Sequence, residues 1–384
     1  VPDSATALID RALRDATRAG RVPGVVAAVT DRDGIVYHGA FGLAHSALRD
    51  PMRPDNVFRI ASLTKLVTSL AVLMIAERGV VDLEAPFQHY FPEFRQPPVL
   101  QSFAPHSREF TAVPAAHDIT VRELLTHTSG YGYWFLNEEV RALTGAEPEH
   151  YDPPFLMHEP GTRFQYGIST DVLGQMIAPV TGLALTAFFE REVFAPLGML
   201  DTSYALPLDA ARLVSLHALR PEGGFSEAPN ERRGEPPRGG GGLYSTAADL
   251  LALLRMLLNG GTAGGQRMLG VETVAALTSN QVGGLAVARQ RTAFPPRTDD
   301  FLFMDGTQQF GFGVLVETRA KPGGRSVGSY GWGGIYNTYF WVDPAAGIAA
   351  VVLMQLSPFS APTCIDVCDR FERAVYHELV ARRL

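Results

Sequence analysis

The chain has 384 residues, 46% of them hydrophobic and 19% charged, with a formal net charge of −7 and a sequence pI near 5.8. These proportions describe a folded globular protein, exclude a disordered or coiled-coil one, and allow one large core or two cooperating domains. Without a concentrated basic stretch, a nucleic-acid partner is not expected.

The first twenty residues read as an amphipathic helix: Ala7, Leu8, Ala12 and Leu13 make an apolar stripe, and Asp3 or Ser4 would cap it. Two β-rich runs follow, residues 25–30 and 35–42, around the turn sequence Asp31-Arg32-Asp33-Gly34, a hairpin signal. Residues 62–78 then carry Leu63, Leu66, Val67, Leu70, Leu73 and Met74 at helical spacing, with Gly79 as the stop. The apolar run 66–76 within it is too short for a bilayer span and reads as a core helix.

The middle of the chain is helical patches at 120–125, 169–181, 185–194 and 246–258, separated by long loops at 96–118, 220–242 and 288–309. Strands return at 312–318, 327–331, 335–342 and 348–356, as in an antiparallel meander, before a last helix at 364–382. The expected fold is α/β of the α+β type: an antiparallel sheet built from both termini, flanked by helices, with a mostly helical domain inserted. The domain reading is 1–85 with 286–384 as the sheet domain and 86–285 as the insertion, the active site between them.

Cys364 and Cys368, the only cysteines, stand four apart on that last helix, where Cβ atoms lie ~5–6 Å apart, too far for a relaxed disulfide. They also lack the companions a zinc site needs, and no metal or organic cofactor is expected. Residues 1–6 show no signal-peptide pattern, so a cytoplasmic location is the expectation, with a leader removed beforehand left open. Oligomeric state is not legible.

Chemistry first shows at Ser62-Leu63-Thr64-Lys65. Spacing of three on a helix brings a hydroxyl and an amine to one face, and the helix start favours a developing negative charge. A serine becomes a nucleophile when a neighbour removes its proton, which a desolvated lysine can do. Of 33 basic residues only Lys65 and Lys321 are lysine, and one of them sits in this apolar helix.

The setting Phe58-Arg59-Ile60-Ala61-Ser62-Leu63-Thr64-Lys65 resembles the β-lactamase-like serine hydrolases, which include class C β-lactamases, DD-peptidases and family VIII carboxylesterases. Four further segments stand in the family's order: Leu124-Leu125-Thr126-His127-Thr128-Ser129-Gly130, Pro160-Gly161-Thr162-Arg163-Phe164-Gln165-Tyr166, Gly241-Gly242-Leu243-Tyr244-Ser245-Thr246, and Gly331-Trp332-Gly333-Gly334. The resemblance implies Ser62, Lys65 and Tyr166 as a coupled catalytic unit, with an oxyanion hole from the backbone N–H groups of Ser62 and Ile335. Which of Lys65 and Tyr166 takes the first proton is open.

Two departures bear on substrate. The family's β-lactamases and peptidases usually carry Lys or His where Trp332 stands, a cation that grips a carboxylate. Ile168 replaces the usual Asn two residues past the tyrosine. Both changes favour a small, neutral, short-chain ester over a β-lactam or D-peptide, as in the family VIII carboxylesterases. Trp332, Gly333, Gly334, Tyr133, Trp134 and Ile168 are the expected pocket residues, although Tyr133 and Trp134 fit a core role as well. Acyl transfer to an alcohol or amine shares the first half-reaction and stays open, while a purely ligand-binding module is disfavoured by the intact Ser62, Lys65 and Tyr166.

Gly324-Arg325-Ser326-Val327-Gly328 fits the Gly-x-Ser-x-Gly pattern, with Asp343 or Asp366 and then His377 in the right order. A nucleophile elbow needs a strand before its serine and a helix after it; here Lys321-Pro322-Gly323-Gly324 precedes and a strand follows. Ser326 is therefore rejected. His127 is expected to be a structural hydrogen-bonder rather than a base.

Overall fold

The computed structural model describes residues 6–145, 153–228 and 237–381. Its centre is an eight-stranded antiparallel sheet that takes strands from both ends of the chain. Strands Gly24–Thr30 and Ile35–His45 pair as the hairpin signal predicts, and the Asp31 carboxylate accepts the N–H groups of Asp33 and Gly34 to close the turn. Gly24–Thr30 then pairs on its other edge with Ile348–Leu353, which leads through Thr338–Asp343 to Tyr330–Gly334. Every residue of these four strands beyond the hairpin's second is buried, so both faces of the sheet centre are covered. The Ala247–Leu258 helix packs on the central strands, and the Ala7–Arg18 and Pro362–Val375 helices pack on each other.

The expected caps Asp3 and Ser4 lie outside the described residues. A distant group does the work: Glu378 accepts the N–H groups of Leu8 (2.9 Å) and Ile9 (3.1 Å) with its two carboxylate oxygens. A carboxylate on orphan N–H donors at a positive helix end stabilises that end and ties the C-terminal segment to the first helix.

Helices Thr64–Glu77, Val121–Leu125, Ser169–Thr181 and Ala247–Leu258 form where the periodicity predicts. Residues 64–75 are buried on every side, which makes Thr64–Glu77 a core helix, and it packs against Ser169–Thr181. Thr120 accepts the Glu123 N–H while Glu123 accepts that of Thr120, a capping box that fixes the helix before His127.

The structure departs from the sequence reading in several places. Within the expected loop at 96–118, Val99–Ala104 and Glu109–Val113 form a hairpin; its residues are mostly exposed, so no buried face wrote an alternation into the sequence. Helices Glu138–Thr144 and Val271–Leu277 are too short for periodicity to register. The strand expected at 327–331 lies at Tyr330–Gly334 and the next begins at Thr338, leaving Ile335 in the turn between them.

Candidate active site

The core helix Thr64–Glu77 is entered through a 3-10 turn, Ala61–Leu63, so Ser62 stands just ahead of the α-helix. Ala61 is held at φ 48°, a left-handed conformation that costs a non-glycine residue about 1–2 kcal/mol. Its neighbours fix it there. The Ile60 N–H donates to Leu243 O (3.0 Å), and Thr338 Oγ1 donates to Ile60 O (3.2 Å). A Cβ on Gly334 would lie 2.5 Å from Ile60 O, so only glycine lets the strand end settle on this turn. That contact brings Ile335, the first residue past the ladder, to the same cavity wall as Ser62.

Lys65 is buried and its Nζ donates to three oxygens: Ser62 Oγ (3.2 Å), Tyr133 Oη (2.9 Å) and Gly240 O (2.6 Å). Three acceptors match the three donors of an ammonium; once deprotonated, the amine can accept the Ser62 proton and keep the other two bonds. The carbonyl of Gly240 is itself held in place. Asp171, in the first turn of Ser169–Thr181, accepts the Gly240 N–H (3.0 Å), and Thr68 Oγ1 donates to Gly239 O (2.6 Å). Tyr133 Oη also lies 3.4 Å from the second Asp171 oxygen, a long contact.

Tyr166 adjoins this group by its ring. Lys65 Nζ is 5.2 Å from the Tyr166 ring centroid, and the rings of Tyr166 and Tyr133 are 5.2 Å apart. The sequence reading makes Tyr166 the partner of Lys65; in the structure Tyr133, read there as a pocket residue, takes the lysine's hydrogen bond. Tyr166 Oη instead accepts from Trp332 Nε1 (3.3 Å), with Trp332 buried against Phe303 and Phe310. Gln290 Oε1 accepts the Tyr166 N–H (3.3 Å) and positions its backbone.

His127 packs on the other side of Tyr166, ring centroids 4.9 Å apart, and is fully enclosed. Burial, with Lys65 nearby, holds its imidazole well below the ordinary histidine pKa. Its Nδ1 accepts the Gly167 N–H (3.4 Å), which leaves the proton on Nε2, 3.5 Å from Thr170 Oγ1. It is a neutral hydrogen-bonder behind the tyrosine.

In front of Ser62 opens a cavity of about 640 Å³. Tyr133, Trp134 and Ile168, expected in the pocket, line it, and so does Ile335, expected in the oxyanion hole. Trp332, Gly333 and Gly334 stand elsewhere: the tryptophan lies behind Tyr166, and a Cβ on Gly333 would meet the rings of Phe359 and Tyr339 at 2.9 Å. The glycines admit aromatic rings and the Ile60 backbone, where the sequence reading has them in the substrate pocket. Ser326 is remote from all of this. It offers its N–H to Asp343 (2.8 Å), Asp343 accepts the Tyr376 hydroxyl (2.6 Å), and Asp366 is engaged by Arg21 and Arg370.

Asp171, Gly240, Gln290 and the cavity arginines Arg59, Arg238 and Arg297 escape the sequence reading. For Gly240 a signal exists, since Gly239 to Gly242 are four consecutive glycines, more than a helix start requires. Asp171 has none beyond its place five residues past Tyr166, because its contact with residue 240 is made only by folding.

A family model described as Beta-lactamase matches residues 9–366. Esterase EstB of Burkholderia gladioli is 29% identical, the alignment covering 95% of each chain. Monacolin J acid methylbutanoyltransferase of Aspergillus terreus is 29% identical over 96% of this chain and 95% of that one. Among solved structures, unliganded simvastatin synthase (LovD) from Aspergillus terreus matches with a TM-score of 0.82 and 26% identity, over 98% of this chain and 99% of that one.

Proposed function

The chain belongs to the Beta-lactamase family and is a serine hydrolase, and from that premise we propose that it is a family VIII-type carboxylesterase that cleaves small, neutral, short-chain acyl esters through an acyl-enzyme on Ser62. The observation that carries the reading is Lys65 Nζ, buried, 3.2 Å from Ser62 Oγ and fastened on its other sides by Tyr133 and Gly240. Ser62 Oγ attacks the ester carbonyl as its proton passes to the unit of Lys65, Tyr133 and Tyr166. The carbonyl π electrons move onto oxygen, and the oxyanion is met by the N–H groups of Ser62 and Ile335. Collapse breaks the bond to the leaving oxygen, which takes the proton back and departs as an alcohol. Water then repeats the sequence on the acyl-enzyme, giving the acid and restoring Ser62.

Trp332 and Ile168, standing where the family's β-lactamases and peptidases carry a cation and an amide, support a substrate without a carboxylate at that position. Acyl transfer is the second reading. It is favoured by the cavity volume, larger than a short acyl group fills, and by the transferase among the relatives.

The test is intact-protein mass after exposure to a panel of 4-nitrophenyl esters, followed by peptide mapping. Acylation at Ser62, lost in Ser62→Ala and kept in Ser326→Ala, is the expected result; acylation at Ser326 would overturn the assignment. An added alcohol that diverts product from acid to ester would move the reading to transfer.

A further inference from the structure

Tyr166 is carried by residues 163–166, which belong to no helix or strand, so no ladder of backbone bonds holds it. Three successive N–H groups do that work. The Gln165 N–H donates to His127 O (2.8 Å), the Tyr166 N–H to Gln290 Oε1 (3.3 Å) and the Gly167 N–H to His127 Nδ1 (3.4 Å). His127 thus holds the outer two, while the tyrosine's own N–H is taken by a side chain 124 residues further along the chain. Gln290 is buried, and its amide has one orientation. Nε2 donates to Ala288 O (3.0 Å), which leaves Oε1 for the Tyr166 N–H and for Gln165 Nε2 (3.2 Å); the reverse orientation would set oxygen against oxygen and N–H against N–H.

Gln290 stands at the neck of a closed loop. The Phe301 N–H donates to Gln290 O (3.0 Å), which brings residues 290 and 301 together, and Arg289 Nε donates to Met304 O (2.7 Å) just outside them. Within the loop Asp300 accepts the Thr292 N–H (3.0 Å) and Phe294 O accepts the Arg297 N–H (2.9 Å). A surface loop with tied ends and its own internal bonds is a compact unit. Its neck also meets the tyrosine's ring. Phe301 lies 5.9 Å from Tyr166, centroid to centroid, and Phe303, just past the neck, packs on Trp332, the donor to Tyr166 Oη. Its tip reaches the segment of the other tyrosine: the Ala293 N–H donates to Phe135 O (2.8 Å), and Phe294 packs on Trp134 at 5.4 Å. One loop therefore joins the carriers of Tyr166 and Tyr133, the two phenols that adjoin Lys65.

We propose that Gln290 is a positioning residue for the chemical step: from the neck of the loop 290–301 it sets where the Tyr166 phenol stands beside Lys65, and it acts on turnover through that phenol alone. The inference rests on the esterase reading of Ser62 and deepens it. Gln290 is not among the residues that line the cavity, so its effect belongs to turnover and not to substrate binding. Loss of its oxygen leaves a buried N–H unpaired, and that N–H regains a partner only if the irregular segment carrying the tyrosine shifts. Reacting groups displaced by ~1 Å lose about 10²-fold in rate.

Gln290→Met keeps the side-chain volume and removes the acceptor. On 4-nitrophenyl butyrate its kcat is expected to fall about 10–10²-fold, with KM within about twofold of wild type. The deciding measurement is the same substitution made in Tyr166→Phe. With the phenol oxygen gone Gln290 has little left to act on, and the further loss in kcat should stay below about threefold. A residue that merely supports the fold slows both backgrounds by the same factor, and that result would overturn the inference. So would an unchanged kcat in Gln290→Met, or a change confined to KM. Gln290→Asn draws the same oxygen back by one methylene and keeps a buried amide; it is read by the same criteria and decides the matter where the methionine variant does not fold. Wild-type kcat in Tyr166→Phe would take the phenol out of catalysis, and this inference with it, while leaving Ser62 as the nucleophile. Failure of the wild type to become acylated at Ser62 would remove the esterase reading itself.

Discussion

Gly240 and Gly241 are adjacent in the glycine run, yet the structure separates them sharply. A Cβ on Gly240 would fall 2.6 Å from Cγ and 2.7 Å from Oδ1 of Asp171, whereas one on Gly241 meets nothing closer than Ala61 O at 4.0 Å. In Gly240→Ala the carboxylate and the loop must part. Overpacking of this kind costs about 1–3 kcal/mol. The shift also draws the Gly240 carbonyl off Lys65 Nζ, loosening a charge-assisted bond worth about 1.5–3 kcal/mol. A lysine displaced by ~1 Å from Ser62 lowers turnover by about 10²-fold. Initial rates on 4-nitrophenyl butyrate should therefore fall about 10–10²-fold in kcat for Gly240→Ala, and by less than about threefold for Gly241→Ala, which only narrows the cavity. Thermal melts on the same samples separate activity from folding. Equal rates in the two variants, or a Gly240→Ala protein that loses stability but keeps kcat, would refute the role given to the Gly240 carbonyl.

Replacing Tyr166 by Phe should lower kcat/KM by about 10²–10⁴-fold, the range of general acid–base catalysis, and Tyr133→Phe by about tenfold for one bond to Lys65. The opposite ranking in steady-state assays would transfer the base role to Tyr133. His127 and His217 are buried with pKa values held below the ordinary 6.5, so the unfolded chain binds protons that the native one refuses. Their contribution to stability is complete above pH 6.5 and is lost as pH falls below it, at up to about 1.4 kcal/mol per pH unit for each. Urea midpoints that stay flat from neutral pH to about pH 5 would contradict this. Glu372 is buried against Arg325 at 3.0 Å, and Glu372→Ala should cost up to about 3 kcal/mol by taking the nearer carboxylate from a partly buried guanidinium. A melting temperature unchanged from wild type would show that Glu317, 3.8 Å from Arg325, suffices alone.

Local signals were readable in the sequence where they wrote themselves into a few consecutive residues. The Asp31-Arg32-Asp33-Gly34 turn, the apolar spacing from Leu63 to Met74 and the Ser62–Lys65 interval all translate directly into structure. What could not be read is partnership across the chain. Lys65 meets Tyr133 and Gly240, 68 and 175 residues away; the glycine run marks position 240 as unusual, but nothing at either position names a lysine as the partner. Trp332 was legible as an absent cation but not as a donor to Tyr166, because the direction of its indole N–H is set by packing among Phe303, Phe310 and Tyr166. The exposed hairpin at Val99–Ala104 escaped for the opposite reason: with no face to bury, its residue pattern carries no period.

The placement of Gly24–Thr30 between Ile35–His45 and Ile348–Leu353 has a consequence for biosynthesis. The strand is apolar except for Thr30, and its second neighbour is made more than 300 residues later. At ~5–20 residues per second, that interval is roughly 20–60 s. Throughout it the nascent hairpin presents an unsatisfied edge, the kind that seeds association between chains. Glu378, which fastens the first helix, is made later still. Whatever shields the nascent hairpin must therefore act until Ile348–Leu353 has been made.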